Sequence, residues 1–89
     1  KFLFSNLKII KPILVGESEK HLSFFITDGI KTIKAIIFYA MDNPLGNIIL
    51  NNYNKTLFSF IGFVKRSIWK KKLYFETIIE DAIIEKDII

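Results

Sequence analysis

The chain contains no cysteine, which excludes disulfide staples and thiolate-held metal and leaves nothing to mark an oxidising compartment, so a reducing cytoplasm is the expectation. It has one histidine, His21, with no clustered carboxylate beside it; a structural or solvent-facing role fits that residue better than a metal-ligand or acid–base role. Glu80 and Asp81 are adjacent, and on a strand adjacent side chains point to opposite faces, which makes them a poor pair for metal binding or proton transfer. There is no nucleophile with a partner histidine, no glycine loop to cradle phosphate and no metal-ligand spacing. The segment therefore reads as one that binds rather than catalyses, with no cofactor of its own. Long hydrophobic runs are also missing. The longest, Ala35 to Met41, is far short of the roughly 20 residues of a membrane helix, and Lys8 and Lys11 interrupt the apolar opening before it could act as a signal segment. No membrane partner is expected. The sequence begins at Lys1 and stops at "KDII", which reads as one domain, residues 1–89, cut from a longer chain that would carry any active site.

Of the 89 residues 51% are hydrophobic, enough for one small core and too few for a second. The net charge of +4 hides an uneven distribution. Five of the nine acids (Glu76, Glu80, Asp81, Glu85, Asp87) fall in the last fourteen residues, so the first 75 carry twelve basic against four acidic side chains. A basic body with an acidic end favours a polyanionic partner for the body.

Isoleucine and phenylalanine dominate, and apolar residues recur with period two more often than with period 3.6, the pattern of half-buried strands. The first strand, Leu7 to Gly16, contains Pro12 and so lies at an edge or bends there. "HLSFFITD" alternates Leu22, Phe24 and Ile26 on one face with His21, Ser23, Phe25 and Thr27 on the other. Asp28 and Gly29 mark a tight turn before a third strand from Thr32 to Tyr39. In "DNPLGNIILNNYN" a capping-type Asp42 or Asn43 precedes Pro44, and Leu45, Ile48 and Ile49 keep helical spacing, which predicts a short helix. Two further strands follow, "TLFSFIGFVKRS" with Gly62 at a bulge or bend, and "KLYFETIIEDAII".

Three strands, a short helix and two strands in fewer than 100 residues is the element order of the OB-fold, an all-β, five-stranded Greek-key barrel. Leu22, Phe24, Ile26, Ile33, Ala35 and Ile37 are expected to line its interior. The two loops that commonly hold oligonucleotides in this fold then become "ESEK" and a loop centred on Trp69, the third region being the face of strands two and three. Trp69 stands between Lys65 and Arg66 on one side and Lys70, Lys71 and Lys72 on the other. Two readings fit: a ring that stacks on a base with cations around it for phosphates, or a plug at the barrel mouth with lysines that keep the loop soluble. Phe25, Lys31 and Lys34 join the candidate binding set on the strand-two and strand-three face. For Phe25, packing against another domain fits better than stacking on a base.

Two stretches resemble the OB domain of the RecJ family of single-stranded-DNA-specific exonucleases. In "KHLSFFITDGIKTIKAIIFYA" a His-Leu pair opens strand two, and Ala35, Ile36 and Phe38 end strand three. In "SIWKKKLYFETIIEDAI" Trp69 matches the family's aromatic and Asp81 its closing acid. Ser67 and Lys71 stand where the family tends to have Asn and Gly. The resemblance implies a parent 5′-to-3′ exonuclease of DNA repair and recombination, with Mn²⁺ or Mg²⁺ held by DHH-type catalytic domains of the same chain. No Asp-His-His string occurs here; this segment would grip single-stranded DNA and guide it. The alternatives are another OB module, in RNA or tRNA handling, and a barrel that docks against a partner domain.

Overall fold

The computed structural model describes residues 1–42 and 44–87, and for Trp69, Lys86 and Asp87 the backbone alone. Period-two alternation produces five strands: β1 (Phe2–Val15), β2 (His21–Thr27), β3 (Thr32–Ile37), β4 (Thr56–Trp69) and β5 (Lys72–Asp87). One helix, α1 (Pro44–Asn52), lies between β3 and β4, and 3₁₀ turns occupy Glu17–Glu19 and Ala40–Asp42. The strands close into a barrel in the order β1-β2-β3-β5-β4, with β4 returning to β1. All pairs are antiparallel except β3 with β5. This is the OB-fold topology that the element order predicts.

Closure requires β1 to serve two neighbours. Its first part pairs with β4 from Phe2↔Gly62 to Leu7↔Phe58, and its second part with β2 from Lys8↔Thr27 to Val15↔His21. A bulge interrupts each ladder, between Phe4 and Leu7 and between Ile10 and Ile13. Asn6 (φ 56°) and Lys11 (φ 51°) supply the left-handed backbone at the two bulges, and the extra residue bends the strand. The Asn6 amide donates to the Ser59 hydroxyl at 3.4 Å, so one displaced ladder group keeps a partner. Pro12, which has no N–H to lose, sits inside the second bulge.

Ile9, Leu22, Phe24, Ile26, Ala35, Ile37, Phe58, Phe60 and Ile79 are buried together. Phe60 lies between Phe24 and Phe58 with ring centroids 5.9 Å apart on each side. At the barrel end where β3 finishes, α1 buries Ile49 into the same core and packs Leu45 and Leu50 against it, joined by Tyr53 just beyond the helix. Pro44 opens the helix as predicted; Asn43 lies outside the described residues. Gly62 permits a close approach of β5. A Cβ there would overlap the carbonyl oxygen of Ile78, next to the point where β5 carries one extra residue against Ile61 and Gly62.

Several expectations need correction. Ile33 pairs with Ile26 on the interior side, yet it is 40% exposed, because at the start of β3 the barrel wall has run out. β1 begins at Phe2 rather than Leu7, since its opening residues gain β4 as a partner. β5 runs on to Asp87, and β3 ends at Ile37 because Tyr39 takes a left-handed conformation (φ 55°). The tight turn at Asp28 and Gly29 is a four-residue loop between Thr27 and Thr32. The connection of β4 to β5 is not centred on Trp69: that residue ends β4, paired with Lys72.

Candidate nucleic-acid interface

The β4–β5 ladder outruns the barrel. Pairing of β4 with β1 stops at Gly62, and pairing of β5 with β3 starts at Thr77. Between Val64 and Glu76 the two strands therefore have only each other, and they project as a two-stranded arm, Lys65↔Glu76, Arg66↔Phe75, Ser67↔Tyr74, Ile68↔Leu73 and Trp69↔Lys72. Lys70 (φ 51°) and Lys71 (φ 65°) form its tip. Positive φ at both central residues is the type I′ hairpin turn, whose twist matches the flanking strands and which favours Asn-Gly. Lys71, at the position where the family resemblance calls for Gly, adopts the left-handed backbone that Gly would take without strain.

Directly opposite residues share a face. One face of the arm carries Lys65, Ser67, Tyr74 and Glu76; the other carries Val64, Arg66, Ile68, Leu73 and Phe75. Where the arm leaves β3, its first face and the outer side of β2–β3 bound a groove of about 570 Å³, lined by Val15, Ser23, Lys34, Ala35, Ile36, Ser67, Tyr74, Phe75 and Glu76. Its floor is apolar at Val15 and Ile36. Its walls hold hydroxyls, one lysine, one carboxylate and the half-exposed ring of Tyr74.

Of the residues predicted for binding, Lys34 lines this groove, and Phe25 pairs with it on the outer side of β2–β3, partly buried. Lys65 faces the groove side of the arm. Arg66 does not: it pairs with Phe75 on the far face, because alternation along β4 separates it from Lys65. Lys70, Lys71 and Lys72 are exposed at the tip. Lys31 belongs to the β2–β3 loop, where its backbone is the important part. The Asp28 carboxylate accepts from the Lys31 and Ile30 amides at 2.8 Å each, and the Lys31 carbonyl accepts from the Thr27 hydroxyl at 2.9 Å. Those amides, Lys31 first, hold the Asp28 carboxyl below its usual range. The side chain of Trp69 lies outside the described residues. His21 has a structural role, its Nδ1 accepting from the Tyr39 amide at 2.9 Å while its ring meets Phe38 and Tyr39 edge-on.

Sequence reasoning missed Tyr74, Ser67 and Glu76 as groove residues. The usable signal was the turn. Once Lys70 and Lys71 are taken as a two-residue loop, counting outward sets Ser67 against Tyr74 and Lys65 against Glu76; a loop placed elsewhere shifts the register and reassigns the faces.

Among the described residues no group of three or more His, Asp or Glu side chains could hold a metal ion, and no helix is long and apolar enough to cross a membrane. No family model, curated protein or solved structure matches the chain.

Proposed function

We propose that this OB barrel binds single-stranded DNA in the groove between the outer side of β2–β3 and the β4–β5 arm. The carrying observation is the composition of that groove: an aromatic ring, Tyr74, and a cation, Lys34, on opposing walls, with exposed Lys65 at the base of the arm and exposed Lys71 and Lys72 at its tip. Single-strand binders combine a basic track for the phosphates with rings on which bases stack, and OB-folds do so in this region of the barrel. The helix α1 does not line this groove, so single strands should compete better than blunt duplex. On the resemblance described above, the chain would serve as the strand-gripping domain of a RecJ-like exonuclease in the cytoplasm. The Mn²⁺ or Mg²⁺ chemistry would then belong to DHH-type domains elsewhere in the parent protein.

Fluorescence anisotropy with a labelled 12-nucleotide strand tests the reading. Tyr74→Ala should weaken binding by about 1–3 kcal/mol with an unchanged melting temperature. Tighter binding to duplex would overturn the proposal, and tighter binding to RNA of the same sequence would move the module to RNA handling. One observation favours the docking alternative: the far face of the arm exposes Ile68 by 78%, Phe75 by 63% and Leu73 by 53%, an apolar stripe suited to another domain. That alternative predicts no measurable affinity for any oligonucleotide.

A further inference from the structure

Glu76 is the one carboxylate lining the groove. It is half-buried, it stands across the ladder from Lys65, and none of the ion pairs among the described residues involves it. We infer that Glu76 makes the groove select guanine at one nucleotide position, an inference that rests on the single-strand reading and specifies what the site recognises.

Charge orients the strand. A phosphate beside a carboxylate costs several kcal/mol at about 4 Å in the effective dielectric near a protein surface, so a bound strand must turn its backbone toward Lys34 on the opposing wall and toward Lys71 and Lys72 at the tip, and away from Glu76. What then faces Glu76 is a base. Tyr74 is the next residue on the same face of β5, about 6.8 Å away along a strand. A base stacked on Tyr74 therefore has a neighbour whose edge reaches Glu76.

An ionised carboxylate only accepts hydrogen bonds, and it has two oxygens side by side. Guanine alone offers two adjacent donors on its Watson–Crick edge, N1–H and the N2 amino group. Adenine and cytosine each offer an amino group beside a ring-nitrogen acceptor, and thymine a single N3–H between two carbonyls; each would set a lone pair against the carboxylate. The remaining acceptor on that edge of guanine, O6, has donors on the same groove walls in the Ser67 hydroxyl and the Lys34 ammonium. Selectivity at this one position is compatible with sequence-tolerant stacking at the others.

The test uses thymine 12-mers with one central guanine, inosine, adenine or thymine, measured in anisotropy competition against the intact domain. The guanine strand should bind about tenfold more tightly than the adenine and thymine strands, the scale of one bidentate base contact. Inosine, which lacks the N2 amino group, should lose most of that gain. Glu76→Gln, which sets one donor beside one acceptor, should abolish the preference for guanine over adenine while the melting temperature stays unchanged. Equal binding of all four strands by the unaltered protein overturns the guanine inference and leaves single-strand binding standing. A uniform tightening of all four in Glu76→Gln also overturns it, because Glu76 would then act only as a counter-charge to Lys65. If none of the strands binds, the single-strand reading fails and the inference with it.

Discussion

The barrel body and the projecting arm share two strands, β4 and β5, which place their large side chains in opposite surroundings in the two regions. In the body, β4 buries Phe58 and Phe60 completely and β5 buries Ile79. In the arm, no described residue from Val64 to Glu76 is buried, although Ile68, Leu73 and Phe75 are as apolar as their counterparts in the core. The local pattern does not differ between the halves. What differs is whether a third strand is present: β1 and β3 cover the body and stop at Gly62 and Thr77. Stability should therefore reside in one half of the ladder and binding in the other.

The strongest challenge to that division compares two phenylalanines. Phe60→Ala should cost about 3–5 kcal/mol, enough to unfold a domain this small, because it removes the ring between Phe24 and Phe58. Phe75→Ala should stay within about 0.5 kcal/mol of the parent in chemical denaturation, as surface changes do. Equal losses would mean that the arm is part of the core. Next in size, Gly62→Ala should destabilise by about 1–3 kcal/mol, since the added methyl meets the Ile78 backbone rather than a movable side chain; an unchanged melting temperature would show that β5 shifts easily at its bulge.

The arm responds to other changes. Replacing Lys70 and Lys71 by Asn and Gly should raise stability by about 1 kcal/mol, because two lysines now hold the left-handed backbone that Asn-Gly adopts readily. The same variant should flatten the dependence of log affinity on log salt by about 0.7 for each lysine that meets a phosphate. Stability that rises while the salt slope stays fixed would remove the tip from the binding track.

The smallest expected effect is at the β2–β3 loop. The Asp28 carboxyl is held below its usual range in the folded protein by the Lys31 and Ile30 amides. Its contribution is present above the ordinary aspartate range and is lost as pH falls through the lowered folded value. The difference in melting temperature between the parent and Asp28→Ala should be constant near neutrality and shrink in acid. A difference that grows on acidification would contradict the capping role.

Much of the barrel was legible in the chain. Period-two alternation marked Leu22, Phe24, Ile26, Ala35 and Ile37 as interior, Pro12 marked the bend of β1, and the order of elements marked the OB topology. These are local or nearly local signals, set by the alternation of side chains on a strand and by the geometry of proline. The groove was only half legible. Lys34 stands out as a charge on an outward position of the third strand and Lys65 as a member of the basic cluster around Trp69, whereas Tyr74 and Glu76 become groove residues only through the register fixed by a two-lysine turn that carries no Asn-Gly mark.

The sequence by itself determined a small all-β domain with a basic body and a phenylalanine-rich interior, because composition and alternation act on each strand separately. Only the tertiary structure decided which apolar residues that interior would cover. Ile33 and Phe75 carry the same kind of signal as Ala35 and Ile79, but they lie where the neighbouring strands have ended. Strand pairing is a long-range property: β1 reaches β4 from Phe2 to Gly62, and β5 reaches β3 from Thr77 back to Ala35. The point at which each pairing stops made the arm, the groove beneath it and the position of Glu76 within that groove.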